Sequence, residues 1–159
     1  WLYQYCSSDD PLFHVIIDKK SNIAIGMASY LNIQQEQGCI EVGHIHYSPI
    51  MQNKPIGTEV MYLMMKRVFD ELKYRRYEWK CNALNTKSCD AARRLGFKFE
   101  GIFKQHMITK KHNRDTAWFA ILDKDWLSLK SKFEKWLGRN NFNKDGSQKV
   151  SLNSLMKTL

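Results

Sequence analysis

The stretch HYSPIMQNKPIGT, residues 46–58, lies between a segment that alternates like a strand and a segment with helical periodicity. Backbone N–H groups at the start of a helix have no partner within it, and the helix dipole adds partial positive charge there. The stretch therefore predicts an anion site of a kind that suits a pyrophosphate. An ordinary strand–loop–helix connection without a ligand is the alternative that this pattern leaves open.

The residues before this stretch are rich in β-branched and aromatic types and predict three strands, over Phe13–Asp18, Ile23–Ile33 and Cys39–Tyr47. Gly43 lies inside the third strand, where a glycine often marks a bulge. Pro49 then ends the strand. Apolar residues recur next at steps of three and four, which predicts a helix with one buried stripe. The stripe comprises Val60, Met61, Met64, Val68, Phe69 and Leu72.

Strand and helix patterns continue to the end of the chain. They predict a strand over 74–84, a helix over 85–95, strands over 97–108 and 116–122 around a basic turn at 110–115, and helices over 128–137 and 151–159. Residues 1–5 fit the last turn of a helix. A strand–helix–strand crossover makes two strands parallel, whereas hairpins make neighbours antiparallel. The expected fold class is α/β, with a mixed, mostly antiparallel central sheet and flanking helices.

The composition suits one domain with its own core, since 43% of the 159 residues are hydrophobic. We expect residues 1–137 to form this domain and residues 138–159 to be a C-terminal extension. The segment after Trp126 could serve a homodimer. No apolar run is long enough to span a membrane, and no signal peptide pattern opens the chain. The cysteines form no C-x-x-C pair, so free thiols and a cytoplasmic location are expected.

The net charge of +9 favours a polyanionic partner, which can be nucleic acid, an acidic surface or a small anionic ligand. The basic residues are scattered and lack an aromatic platform, which argues against nucleic acid. Charge by itself does not choose between the remaining partners.

The loop before the predicted helix resembles the phosphate-binding motif of the GNAT superfamily of N-acetyltransferases, Gln/Arg-x-x-Gly-x-Gly/Ala. Gln52 and Gly57 match its first and last positions, and Pro55 replaces its middle glycine. Proline removes one amide donor, but its fixed φ suits the first turn of a helix.

Further residues resemble the second half of the GNAT core. They are Asn85-x-x-Ser88, Ala91, Leu95-Gly96-Phe97 and Glu100-Gly101. The closing segment, with Arg114-Asp115, Trp118–Leu122 and Asp125-Trp126, is similar to the RimJ/RimL-like branch. The resemblance runs from Phe13 to Trp126. It does not include the family's first strand and most of its first two helices, so we expect N-terminal elements to be missing.

The resemblance implies that acetyl-CoA is the cosubstrate and lies in a V-shaped cleft between two splayed parallel strands, which would be those ending at Tyr47 and Leu84. An amine would attack the thioester directly, without an acyl-enzyme. The implied cofactor-binding residues are His46, Tyr47, Gln52, Asn53, Lys54, Ile56, Gly57, Thr58, Asn85 and Ser88. Lys87 and Arg93 are basic side chains near enough in sequence to meet phosphates.

Proton transfer needs a base, and three residues qualify. Glu41 lies eleven residues before Gln52, a spacing that resembles the general-base glutamate of some GNAT enzymes. A carboxylate in a partly apolar cleft can accept a proton through water. A surface carboxylate on a strand is the alternative. His44 and His46 are also candidate bases. They could bind a metal as a pair, but no third ligand has a suitable spacing, so no metal is expected.

The leaving thiolate needs an acid to protonate it. Ala92 occupies the position at which many GNAT enzymes have a tyrosine general acid. Asn85, Ser88 or bulk water would hydrogen-bond the thiolate instead, or the thiolate would leave unassisted.

The predicted function is transfer of acetyl from acetyl-CoA to a primary amine, on a protein N-terminus or a small molecule, in a ternary complex. A non-catalytic, acyl-CoA-binding module of the same fold is the alternative. Pro55 and Ala92 are the departures that favour it.

Overall fold

The computed structural model describes residues 8–157 of the chain, which form six strands and four α-helices. The strands are β1 (Leu12–Asp18), β2 (Ile23–Gln34), β3 (Cys39–Tyr47), β4 (Arg76–Asn82), β5 (Lys98–Thr109) and β6 (His112–Leu122). The helices are α1 (Pro55–Lys66), α2 (Thr86–Arg94), α3 (Asp123–Leu137) and α4 (Leu152–Lys157). The helical turn predicted over residues 1–5 lies outside the described residues.

All six strands belong to one sheet, in the order β1-β2-β3-β4-β6-β5. Only β3 and β4 pair in parallel, because α1 carries the chain back across the sheet between them. The other neighbours pair antiparallel. The α/β fold with a mixed, mostly antiparallel sheet and flanking helices is therefore confirmed.

Alternation along β4 separates the two faces of the sheet. Tyr77 and Cys81 are buried on the face that the helices cover, where Cys81 Sγ lies 3.5 Å from Cys89 Sγ of α2. Arg76, Glu78 and Lys80 point to the opposite face and form ion pairs there. The chain thus packs an apolar core on one side of the sheet and keeps charged side chains on the other.

The last turn of the α1 segment, Arg67–Glu71, widens into a π-helix and ends against α3. Asp70 accepts hydrogen bonds from Trp126 Nε1 and Lys130 Nζ, both at 2.6 Å. The bond from Lys130 first, and the one from Trp126 after it, lower the pKa of Asp70 despite its partial burial. This carboxylate therefore ties the segment that follows α1 to α3.

The boundaries of several elements differ from the sequence prediction. The basic turn is confined to Lys110 and Lys111, because residues 112–114 pair with β5. Helix α3 begins at Asp123 rather than at residue 128. The C-terminal helix is short, and its predicted cap is present, since Ser151 Oγ accepts a hydrogen bond from the Ser154 amide.

Replacing Asp70 with Asn should lower the free energy of unfolding by about 1–2 kcal/mol, because Trp126 and Lys130 lose an ionised acceptor. The pKa of Asp70 is lower in the folded state than in the unfolded state. Its contribution to the free energy of unfolding is therefore fully present above the unfolded-state pKa, and is lost as the pH falls through the folded-state pKa. Urea denaturation at neutral and acidic pH should show the difference shrinking in acid. Asp9→Asn, at an exposed position, should leave stability unchanged at both pH values.

Candidate active site

Strands β3 and β4 separate part of the way along their length. Their pairing runs from Cys39 opposite Arg76 to Val42 opposite Trp79 and includes no later residue, although both strands continue. Residues 43–47 and 80–82 therefore present backbone groups to a gap rather than to each other. These two segments form the walls of a cleft of about 1410 Å³.

A bulge in β3 accompanies the separation. Opposite β2, Ser29 pairs with Gly43 and Met27 with His46, so β3 holds one residue more than its partner over this interval. His44 has a φ of 48°, in the left-handed region. A Cβ on Gly43 would lie 2.8 Å from Leu31 Cδ2, so a larger residue there would require the Leu31 side chain to move. The bulge predicted from Gly43 is thus present, one residue later.

The loop after β3 is tied back to the end of the strand by two side chains. Gln52 Nε2 donates to the Tyr47 carbonyl at 2.9 Å, and Tyr47 Oη donates to the Gly57 carbonyl at 3.1 Å. A Cβ on Gly57 would lie 3.2 Å from the Tyr47 ring. Gln52 and Tyr47 thus set the shape of the loop, and their polar side-chain atoms bond within the protein.

Several amides at the start of α1 have no partner among the described residues. Lys54 and Gly57 donate within the loop over 3.4 and 3.3 Å, but the amides of Gln52, Asn53 and Ile56 donate to no carbonyl or side chain there. The first turn of α1 carries no acidic residue. Free donors at a helix start, next to the wide end of the gap, form a site for an anion.

The charged side chains that line the cleft are all positive. None of the described residues that line it is Asp or Glu. Its cationic lining residues are Lys54, Lys80, Lys87, Arg94 and Arg114. Such a cleft attracts a polyanion and disfavours a polycation.

Glu41 lies at the narrow end, where β3 and β4 are still paired, and is only 6% exposed. Its Oε2 accepts hydrogen bonds from Asn32 Nδ2 at 2.7 Å and from Lys80 Nζ at 2.8 Å. Lys80 also contacts Glu78 Oε2 at 2.8 Å. Burial works against the charge of Lys80, but its bonds to Glu41 and Glu78 outweigh this and raise its pKa. Glu41 is therefore an ion-pair partner below the cleft and does not line it.

The predicted histidines lie on the wall of the cleft. His44, at the bulge, is exposed, and its Nδ1 lies 2.8 Å from Ser29 Oγ. This contact orients the ring and leaves Nε2 without a partner among the described residues. His46 is also exposed and lines the cleft. In residues 8–157, no group of three His, Cys, Asp or Glu side chains is arranged to hold a metal ion.

Asn85 and Ser88 line the cleft from the start of α2. Asn85 is the N-cap, and its Oδ1 accepts a hydrogen bond from the Ser88 amide at 3.1 Å. Ser88 Oγ accepts one from Trp79 Nε1, also at 3.1 Å, and can still donate its own proton. Ala92 is fully buried in the core, so this position of α2 does not face the cleft.

Sequence reasoning named Arg93 but missed its neighbour Arg94. Arg94 lines the cleft and donates to Thr58 Oγ1, in the first turn of α1, at 3.0 Å. Arg93 is exposed on another face and pairs with Asp90. Helical spacing could have identified the difference, because Lys87, Ala91 and Arg94 fall on one face of α2.

The C-terminal extension lies against the same domain. Leu152 is buried in the core, and Phe142 and residues 146–148 line the cleft beside Trp136 of α3. No pattern in residues 138–148 predicted this contribution to the cleft. The described helices are each too short or too polar to cross a membrane.

Residues 1–98 match a family model described as "Acetyltransferase (GNAT) domain". The chain is 46% identical to a GCN5-related N-acetyltransferase from Brucella melitensis; the match covers 98% of this chain and 71% of that one, with a TM-score of 0.95. A GNAT-family acetyltransferase structure from Bacillus anthracis is 26% identical, with 70% and 66% coverage and a TM-score of 0.64. The uncharacterized N-acetyltransferase YnaD of Bacillus subtilis is 27% identical over 86 residues, and this match covers 54% of the chain and 50% of YnaD.

Replacing Lys80 with Met should lower the free energy of unfolding by about 3 kcal/mol, because Glu41 would remain buried without its cation. Lys98→Met is the matched control, since Lys98 is 69% exposed and pairs with Asp125 at the surface. It should cost less than about 1 kcal/mol. Urea denaturation of both variants tests this, and equal losses would contradict the role given to the Lys80–Glu41 pair.

Proposed function

The chain belongs to the GNAT acetyltransferase family, and we propose that it transfers the acetyl group of acetyl-CoA to a primary amine on a protein N-terminus or a small molecule. The observation that carries this proposal is the open gap between β3 and β4 beside the unpaired amides at the start of α1. The resemblance of the closing segment to the RimJ/RimL-like branch supports our proposal that the chain belongs to that branch.

The gap and the loop fit the two ends of the donor. The amides of Gln52, Asn53 and Ile56 would hold the pyrophosphate, with Lys54 beside them. The open edge of residues 43–47 would pair with the amides of the pantetheine arm, as a neighbouring strand would. The thioester would then lie near the bulge, where an N–H that points into the gap stabilises negative charge on its carbonyl oxygen.

The reaction is a direct displacement. The neutral amine attacks the thioester carbon, the C–S bond breaks, CoA leaves as a thiolate, and the nitrogen gives up one proton. We propose His44 as the group that accepts this proton, because its ring lies on the cleft wall and is oriented by Ser29. Glu41 remains a candidate through water, although its carboxylate already binds Lys80. Ser88 would donate to the thiolate from the opposite wall.

A non-catalytic acyl-CoA-binding module is the second candidate, and one observation favours it. Tyr47 is the only tyrosine among the described cleft-lining residues. Its hydroxyl donates to the Gly57 carbonyl, and burial raises its pKa. No phenol is therefore placed to protonate the leaving thiolate. Release of free thiol from acetyl-CoA in the presence of an amine panel separates this module from an enzyme.

Saturating acetyl-CoA should raise the melting temperature, because a ligand that binds only the native state stabilises it. Gly57→Glu should abolish the shift, since the new side chain places bulk against Tyr47 and negative charge at the free amides. Leu63→Glu adds the same charge at an exposed position of α1 outside the cleft lining and should keep the shift. Thermal denaturation measures all three proteins, and no shift for the unsubstituted chain would exclude the site.

His44→Gln should lower kcat by about 100-fold with little change in the KM for acetyl-CoA, because it removes the base and leaves the phosphate site intact. His46→Gln, on the same wall, is the matched control and should keep kcat. An unchanged kcat in His44→Gln would move the role to Glu41.

A further inference from the structure

Arg94 is a cation that has no anionic partner among residues 8–157. It lies in the last turn of α2 and is half-buried, and burial lowers its pKa. Its guanidinium donates to Thr58 Oγ1 and lies 5.6 Å from the centre of the Trp136 ring. No carboxylate of residues 8–157 lies within ion-pair distance. Keeping a guanidinium partly desolvated without a counter-charge costs free energy, which an anionic ligand would recover.

The position of Arg94 indicates where an anionic ligand would bind. Thr58 belongs to the first turn of α1, which also contains the unpaired Ile56 amide and follows directly on those of Gln52 and Asn53. The guanidinium therefore faces the anion site from across the cleft. Its planar set of donors matches the geometry of a phosphate.

A wall of C-terminal residues stands next to Arg94. It consists of Trp136, Phe142 and residues 146–148, and is called the C-terminal wall below. Trp136 Nε1 donates to Gln148 Oε1 at 2.9 Å, and the Trp136 and Phe142 rings pack edge to face at 5.3 Å. Asn141 bonds to the Trp136 carbonyl and to both backbone groups of Val150. These bonds hold an aromatic surface in a fixed position beside the free cation.

We propose that Arg94 and the C-terminal wall bind the nucleotide end of CoA, with Arg94 on a phosphate and Phe142 against the adenine. This rests on the proposed function, since it assigns a further part of the same donor site. Its consequence is donor specificity: the protein selects a thioester of CoA over a thioester on a bare pantetheine arm. Residues 138–157 are then part of the donor site.

Arg94→Gln tests the phosphate contact, with Arg93→Gln as the matched control. Titration calorimetry gives the Kd of CoA, and competition against CoA gives that of pantetheine. For Arg94→Gln we expect the Kd of CoA to rise about tenfold or more, as loss of a charged hydrogen bond does, and the Kd of pantetheine to stay within twofold. Arg93→Gln should change neither, because Arg93 is exposed and paired with Asp90.

Two results would overturn the proposal. One is equal CoA affinity in Arg94→Gln and Arg93→Gln; the other is an equal loss of affinity for CoA and pantetheine in Arg94→Gln. Arg94→Lys, which keeps the charge and loses the planar donors, should recover part of the CoA affinity. Phe142→Leu should weaken CoA several-fold and leave pantetheine unchanged, and unchanged CoA affinity would remove the wall from the site.

Melting temperatures without ligand show whether each variant is folded, which matters because Arg94 also binds Thr58. If the unsubstituted chain binds neither CoA nor pantetheine, the proposed function itself fails. If it binds both and Arg94→Gln behaves like Arg93→Gln, only the present inference fails.

Discussion

The end of pairing between β3 and β4 after Val42 and Trp79 is the constraint on which the site depends. Each strand keeps its other neighbour: β3 stays paired with β2 as far as Tyr47, and β4 with β6 as far as Asn82. The two edges that face the gap can therefore stay open without loss of support. Unpaired backbone groups are costly when buried, but here they face a solvent-filled cleft. The fold thus keeps strand-like hydrogen-bonding groups available for a ligand.

The charged side chains at the narrow end set where the gap begins. Glu41 and Glu78 lie opposite each other in the last paired segment, and Lys80 bonds to both. Arg76 extends the same row by pairing with Glu78 and Glu100. Two carboxylates on facing strands would repel each other, so Lys80 is what allows the strands to remain close there. Buried ion pairs add little net stability, and we assign this one to fixing geometry.

Much of the framework could be predicted from the sequence because its signals are local. Gly43 marked the bulge, Asn85 the cap of α2, and Pro49 the end of β3. The remainder depends on residues distant in the chain. Glu41 has the spacing of a base, but its partner Lys80 lies 39 residues later, and only the folded sheet brings them together. No periodicity in residues 138–148 indicates that they reach the cleft.

Arg93 and Arg94 show that local sequence composition does not identify which basic residue contacts a ligand. Both are basic and adjacent, so composition does not distinguish them, yet one pairs with Asp90 at the surface and the other faces the cleft. Over distances beyond about 10 Å, the positive lining as a whole attracts a polyanion, and salt weakens this attraction. At contact distance, affinity depends on the direction of the hydrogen bonds. Fixed amides and a planar guanidinium provide donors in defined directions. Net charge can therefore account for the long-range attraction of the ligand to the cleft. The positions of α1 and α2 determine which of the basic side chains contact the bound ligand.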